Sequence, residues 1–241
     1  MRRSFDRSRR PWPDHRRETE SAGSKPMSRP ERHKLIAPVR HGRILLHCCC
    51  APCAADVIET LLWSEIDHEV IFYNPNIHPH GEYLRRKDEL QRFAVRHWIG
   101  VVDADYESAA WFRAVRGLET EPERGARCTT CFDIRLERTA SHADQHGFAA
   151  IATSLGISRW KNIRQVDECG RRAAARYAGL IYWDHNWRKL GGADRAAEIA
   201  ERAQFYRQSY CGCVYSLIKL KLQSPGSSTS GSLDSVGSPS P

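Results

Sequence analysis

Apolar residues in the middle of the chain follow two alternating patterns: short continuous runs and longer stripes with helical spacing. Arg43–His47 (RILLH) is a run of the first kind and predicts a buried strand, whereas Gly81–Trp98 carries a helical apolar stripe. The other predicted strands are His68–Tyr73, Ile99–Asp103, Phe148–Ser154 and Leu180–Trp183, and the other predicted helices are Ala54–Trp63, Glu107–Val115, Thr129–Gly147, Asn162–Tyr177 and Asp194–Tyr206. Strands that alternate with helices over short connections predict an α/β domain with a parallel sheet covered on both faces.

The two ends of the chain lack this patterning. Residues 1–42 are rich in Arg, Ser and Pro, and residues 224–241 are almost entirely Ser, Gly and Pro, so we expect a disordered basic arm and a disordered tail around a domain at 43–223. Met27 is a second candidate start of the chain. Residues 1–40 hold twelve Lys or Arg and five Asp or Glu, so most of the formal charge of +8 belongs to the arm and does not describe the domain.

Four cysteines stand in the segment HCCCAPC (47–53), directly after the first predicted strand. Thiolates this close repel one another, and a bound metal ion relieves the repulsion by making each of them a ligand. In parallel α/β sheets ligands bind beyond the carboxyl ends of strands, which is where this segment lies. Cys128 and Cys131 supply a second pair with the two-residue gap typical of metal sites.

Two kinds of metal centre fit these spacings. Cys50, Cys53, Cys128 and Cys131 have the number and pairing of ligands for a zinc site, but this leaves Cys49 without a role. Five thiolates suit an iron–sulfur cluster with a second metal better, so we favour that interpretation. A secreted disulfide framework is a poor alternative, because the cysteine count of nine is odd and the N-terminus lacks the apolar segment of a secretory signal.

The remaining cysteines lie far from these segments. Cys211 and Cys213 are separated only by a glycine, which is too close for most metal hairpins, and a disulfide between them is expected to be strained and easily reduced. We therefore consider them a possible redox pair. Cys169 stands alone on a predicted helix and is expected to be structural.

Three segments after strand ends combine basic side chains with aromatic ones, a mixture that suits phosphate contact and base stacking. A solvated charged face is the alternative for each segment taken alone. The candidate nucleic-acid contacts are Arg86, Arg159, Lys161, Arg188 and Lys189.

An ordered set of motifs resembles the QueH-type epoxyqueuosine reductases. The motifs are LLHCCCAPC (45–53), FYNPNIHPHGEYLRRKDEL (72–90), GLETEPERGARCTTCFDIRLERTA (117–140), GFAAIATSLGISRWKN (147–162) and YRQSYCGCVYS (206–216). They span most of the predicted domain. Family members often lack a cysteine at the position of Cys48, so Cys49, Cys50 and Cys53 are the matching cysteines.

The resemblance implies a HUP-like α/β fold and the cobalamin-independent reduction of epoxyqueuosine to queuosine at the wobble position of tRNA. It also implies a [4Fe-4S] cluster with an adjacent mononuclear iron. We expect the metals to be held by Cys49, Cys50, Cys53, Cys128 and Cys131, with the allocation between cluster and iron left open. Asp133 or Asp56 is a further candidate ligand or proton donor. The expected partners are tRNA carrying epoxyqueuosine and an unidentified electron donor, in the cytoplasm and without membrane contact.

Two other functions are alternatives for a chain with this sequence. One is a zinc-stabilised RNA-binding module without catalytic activity. The other is an ATP-dependent tRNA-modifying enzyme, which needs a glycine- and serine-rich phosphate loop after the first strand. HCCCAPC stands there instead, and this argues against ATP chemistry.

Overall fold

The first strand of the sheet, β1 (Ile44–His47), is buried at all four positions and has neighbours on both sides. In the computed structural model, which describes residues 32–223, it pairs in parallel with β2 (His68–Phe72) and with β4 (Ala150–Thr153). The outer strands are β3 (Val101–Asp103) beside β2 and β5 (Ile181–Tyr182) beside β4. The sheet therefore has the order β3-β2-β1-β4-β5 with every strand parallel.

Helices cover both faces of this sheet. Ile44 and Leu46 point into one core, and Leu45 points into the other, as expected from the alternation of side chains along a strand. The helices of the described region are α1 (Ala51–Trp63), α2 (His80–Arg96), α3 (Ser108–Ala114), α4 (Ala126–Gln145), α5 (Ile163–Ala174), α6 (Gly192–Arg202) and α7 (Val214–Gln223). α1, α2 and α6 contribute to the first core, and α4 and α5 to the second. The predicted α/β domain with a covered parallel sheet is confirmed.

The helices differ from the predicted bounds at both ends, by up to four residues. α1 begins at Ala51 rather than Ala54, because Pro52 stands in the first turn, where its missing N–H costs no helical hydrogen bond. α4 begins at Ala126 rather than Thr129, so Cys128 lies inside the helix. A short 3-10 helix, Ser154–Ile157, and α7 were not predicted.

Residues 32–42, placed in the basic arm by the sequence, lie against the domain. Leu35, Ala37 and Val39 pack on the first core, and the guanidinium of Arg32 contacts a carboxylate oxygen of Asp56 at 2.9 Å. The rest of the predicted arm and the predicted tail lie outside the described residues. Between residues 32 and 223, no helix combines the length and the apolar content needed to cross a membrane.

Candidate active site

The thiol-rich segment lies at the carboxyl end of the central strand. β1 ends at His47, residues 48–50 turn the chain, and Cys53 falls in the first turn of α1. Cys50 is the residue that caps this helix, with extended backbone angles and no side-chain cap. Because the chain goes from β1 to β2 on one side while β4 lies on the other, this edge is a topological switch point, where parallel α/β sheets bind ligands.

Cys49, Cys50 and Cys53 form a compact group of sulfur atoms. All three Sγ atoms lie within 4.8 Å of one another, and the Cys49 and Cys50 sulfurs are 3.7 Å apart. In the part of the chain that the structure describes, no other three His, Cys, Asp or Glu side chains converge in this way. The three thiols predicted from the HCCCAPC segment are therefore brought together.

Cys49, Cys50 and Cys53 form hydrogen bonds with one another, and these bonds shift the pKa of each thiol. Bonds from Cys50 and Cys53 hold the pKa of Cys49 well below its ordinary value, with help from the charges of Lys161 and Arg135. The same interaction raises the pKa of Cys50 to about 12 and also raises the pKa of Cys53, because each of them would form a second thiolate beside Cys49. These interactions therefore favour a thiolate at Cys49 over one at Cys50 or Cys53.

Cys128 and Cys131 lie in the first turns of α4. Cys128 packs in the same apolar cluster as Cys49 and Cys50, and its sulfur accepts a hydrogen bond from the backbone N–H of Arg124 at 3.2 Å. Cys131 packs with Trp111 and Cys213 in a separate buried cluster. Burial raises the pKa of both α4 thiols, to about 11 for Cys128.

Three cationic side chains from separate parts of the chain surround the thiols. Arg86 of α2 acts on Cys50, and Arg135 of α4 acts on Cys49 and Cys131. Lys161 follows the 3-10 helix at the end of β4, and although burial opposes its charge, the nearby thiols raise its pKa to about 12. These charges favour an anionic occupant of the site.

The segment 204–213, here called the C-terminal strap, crosses this edge of the domain. The Gln208 amide donates a hydrogen bond to the Cys50 sulfur at 2.9 Å, and the backbone N–H of His78 donates to the carbonyl of Gly212 at 2.7 Å. The Arg86 guanidinium donates to the carbonyls of Tyr210 and Cys211, each at 3.2 Å. These bonds hold the strap over the thiol group.

Cys211 and Cys213 are both free thiols. Cys211 is exposed and lies close enough to Cys128 and Cys131 to influence their pKa values. Cys213 is buried, and burial raises its pKa to about 12. The two residues predicted as a redox pair thus lie beside the metal-ligand candidates of α4.

Four other residues from the sequence prediction lie apart from the thiol group. Asp133 pairs with Arg172 of α5 at 2.8 Å on the surface, and Asp56 is buried in an ion pair with Arg195 at 2.8 Å. Cys169 is a buried residue of α5, and its thiol donates a hydrogen bond to the carbonyl of Thr129 at 3.7 Å. Cys48 is buried on the other face of the sheet from Cys49 and Cys50, in the core that contains Leu46.

The candidate RNA contacts differ in exposure. Arg159 and Lys189 are exposed, and Lys161 is half-buried beside the thiols. Arg188 donates to the carbonyls of residues 156, 158 and 161 and so holds the loop that contains Lys161. Arg86 is only 2% exposed and binds Glu82 and the C-terminal strap, which leaves it no surface for a phosphate.

Sequence reasoning missed several residues that shape the site. Asn74 is fully buried, and its side chain links the carbonyl of Cys48 to the guanidinium of Arg135. No sequence pattern identified Gln208 as a site residue, because only the folded chain brings it to Cys50. His47 is buried between the Thr153 hydroxyl and the carbonyl of Tyr73. Of these residues, Asn74 was the one that the sequence could have indicated, because it is an asparagine shortly after a buried strand.

Comparisons with known proteins agree with this arrangement. A family model described as Epoxyqueuosine reductase QueH matches residues 44–219. A relative from Acinetobacter baylyi with that name is 56% identical over 191 residues, which cover 79% of this chain and 87% of the relative. Relatives of the same name from Haemophilus influenzae and Thermotoga maritima are 54% identical over 186 residues and 34% identical over 181 residues. These alignments cover 77% and 74% of this chain and 76% and 92% of the respective relatives.

The matched span contains the whole sheet, the thiol group, Cys128 and Cys131, and the C-terminal strap. The chain therefore belongs to the QueH family of epoxyqueuosine reductases, which are oxidoreductases.

Proposed function

We propose that this protein reduces epoxyqueuosine to queuosine at the wobble position of tRNA, using a [4Fe-4S] cluster and an adjacent mononuclear iron. The observation that carries the proposal is the group of three sulfur atoms within 4.8 Å of one another at the carboxyl edge of the sheet. The family name of the matched relatives supplies the reaction class.

The chemistry of the donor set fits such a centre. The group consists entirely of sulfur, which is the ligand type of iron–sulfur clusters, and the lowered pKa of Cys49 favours the thiolate form that binds metal. Cys49, Cys50 and Cys53 would hold one part of the centre. Cys128, which packs against the same apolar cluster, would complete the ligand set with Cys131. Arg86, Arg135 and Lys161 would balance the negative charge of the ligated thiolates.

Removing the epoxide oxygen takes two electrons and two protons and yields an alkene and water. When bound, the metals would supply the electrons and a Lewis acid for the oxygen. Lys161 keeps its proton at neutral pH, since its pKa is about 12, so its ammonium group would stabilise negative charge that develops as the C–O bond breaks. The C-terminal strap would keep water from one side of the thiol group, because Gln208 lies against Cys50.

Cys211 and Cys213 remain candidates for a relay of electrons or protons. Cys211 is exposed and Cys213 packs against Cys131, so the pair spans the path from the surface to the α4 thiols. Asp133 is a less favourable candidate, because its carboxylate is already paired with Arg172. The electron donor is unidentified, and we infer a cytoplasmic location from the proposed tRNA substrate.

The test is anaerobic reconstitution of the wild-type protein and of two serine variants. Cys50→Ser removes a sulfur from the group, whereas Cys169→Ser alters another buried thiol outside it. We expect wild type and Cys169→Ser to bind iron and sulfide, absorb broadly in the visible range and convert epoxyqueuosine in tRNA with a chemical reductant. Cys50→Ser should lose the colour and the conversion while keeping the far-ultraviolet circular dichroism of the fold.

Two results would contradict the proposal. One is a colourless wild-type protein that takes up a single zinc ion and binds RNA without converting it, as expected of a zinc-stabilised module. The other is full activity of Cys50→Ser. In cells, deletion of the gene should make epoxyqueuosine accumulate in tRNA nucleosides where no second reductase is present.

A further inference from the structure

Trp160 is a large aromatic side chain that the fold leaves in solvent close to the thiol group. Its side chain is 68% exposed, although Lys161, the next residue, acts electrostatically on Cys49. Both residues belong to the loop 158–161, which follows the 3-10 helix beyond β4. The loop therefore lies at the same carboxyl edge of the sheet as the thiols.

Arginines from two other segments fix the backbone of this loop. Arg124 donates to the carbonyl of Trp160 at 2.9 Å, and Arg188 donates to the carbonyl of Lys161 at 3.0 Å and to that of Ser158. Arg188 also binds the carbonyl of Gly156 at 2.7 Å. The exposed indole thus belongs to a loop whose backbone is fixed by two arginines. Because the loop is already ordered, less entropy is lost when a partner binds the indole.

The surroundings of the indole are cationic. The guanidinium of Arg159 lies 4.9 Å from the centre of the Trp160 ring, and Lys189 is exposed on the segment that also carries Arg188. An exposed aromatic ring flanked by basic side chains suits an unpaired nucleic-acid base, whose flat face stacks on the ring while its phosphates contact the cations.

We propose that Trp160 is a stacking platform for an unpaired base of the RNA substrate, adjacent to the nucleotide that enters the thiol site. This inference rests on the proposed function, because it takes RNA as the substrate. Arg159 and Lys189 contact the backbone phosphates beside that base. Lys161 faces the thiols instead and acts on the nucleotide that reacts.

The experiment measures the equilibrium binding of a fluorescently labelled anticodon stem–loop to the full-length, metal-loaded protein under anaerobic conditions. The variants are Trp160→Ala, Trp160→Phe and Arg159→Gln. Trp98→Ala is the matched control, because Trp98 is 70% exposed but precedes β3 at the opposite edge of the sheet. Metal content and thermal unfolding are compared for all variants.

Loss of base stacking costs about 1–3 kcal/mol, so Trp160→Ala should weaken binding by about 5- to 150-fold. Trp160→Phe should retain most of the affinity, and Trp98→Ala should bind like wild type. Trp160→Ala should leave the dependence of affinity on salt unchanged, whereas Arg159→Gln should reduce its slope by about one counterion.

Binding by Trp160→Ala within twofold of wild type would overturn the stacking role, and so would an equal loss in Trp98→Ala. If wild type converts epoxyqueuosine while Trp160→Ala binds normally, only this inference fails. If wild type neither binds the stem–loop nor converts the nucleoside, the proposed function fails with it.

Discussion

Replacing Arg86 with methionine tests whether this buried arginine holds the C-terminal strap or contacts RNA. The side chain is 2% exposed, and its guanidinium lies 2.6 Å from a carboxylate oxygen of Glu82. It also donates to the carbonyls of Tyr210 and Cys211. Arg86→Met would leave two carbonyls without this donor and the buried Glu82 carboxylate without its cationic partner, although the Tyr206 hydroxyl still donates to Glu82 at 3.1 Å.

Breaking one side of a buried ion pair costs about 3–5 kcal/mol, because the remaining charge stays desolvated. For a domain of this size, 1 kcal/mol shifts the melting temperature by about 2–4 °C, so Arg86→Met should lower it by about 6–20 °C. The double variant Arg86→Met/Glu82→Gln removes the stranded charge as well. We expect it to be more stable than Arg86→Met alone, by at least about 1 kcal/mol.

The assay is reversible unfolding of the metal-free, reduced protein by heat and by urea. Arg85→Met is the control, since Arg85 is the neighbouring arginine on α2 but is exposed, and its guanidinium lies 4.6 Å from the centre of the Tyr206 ring. Its replacement should cost about 1 kcal/mol or less. If Arg86→Met unfolds like wild type and binds RNA more weakly, Arg86 is an RNA contact, as the sequence predicted, and the structural argument is refuted.

Two further predictions concern single positions. A Cβ on Gly170 would lie 2.2 Å from the ring of Tyr182, so Gly170→Ala should lower the unfolding free energy in urea by about 1–3 kcal/mol. Gly81→Ala, which meets no atom within 4 Å, should have no such effect. Burial and the charge of a nearby arginine lower the pKa of His47 from 6.5 to about 3, so the unfolded chain binds this proton first as the pH falls. As the pH falls from 6.5 to 3, the unfolding free energy of wild type should drop by up to about 1.4 kcal/mol more per pH unit than that of His47→Gln. The measurement is urea unfolding at each pH. His41→Gln, at an exposed position, is the control and should follow wild type.

The sequence was sufficient for the parts of the fold that depend on local patterns. β1, β2, α2 and α5 were predicted because each carries a clear apolar run or stripe. The helix α7 (VYSLIKLKLQ) was missed, because it is short and its apolar residues are not segregated to one side. The residues before β1 were read as part of the arm, since Leu35, Ala37 and Val39 are too few to form an element, yet they pack on a core built by others.

The candidate site was likewise predictable where it depends on residues close in sequence, and not where it depends on residues far apart in sequence. Cys49, Cys50 and Cys53 are near neighbours in sequence, so a strand end and one helical turn suffice to bring their sulfurs together. The contact between Gln208 and Cys50 joins positions 158 residues apart, and no local sequence pattern predicts it. Cys128 and Cys131 were correctly singled out by their spacing, but only the fold places Cys128 in the cluster that contains Cys49.

In the proposed iron–sulfur centre, the charges around the thiols would favour the reduced state. Arg86, Arg135 and Lys161 come from α2, α4 and the loop after β4, so they surround the thiols only when the domain is folded. Cations near a thiolate-ligated centre stabilise its reduced, more negative state and thereby raise its reduction potential. The Gln208 amide acts in the same direction through its hydrogen bond to the Cys50 sulfur. Because Arg86 also fixes the strap that carries Gln208 and Cys211, a change at this one arginine alters both the charge at the thiols and the cover over them.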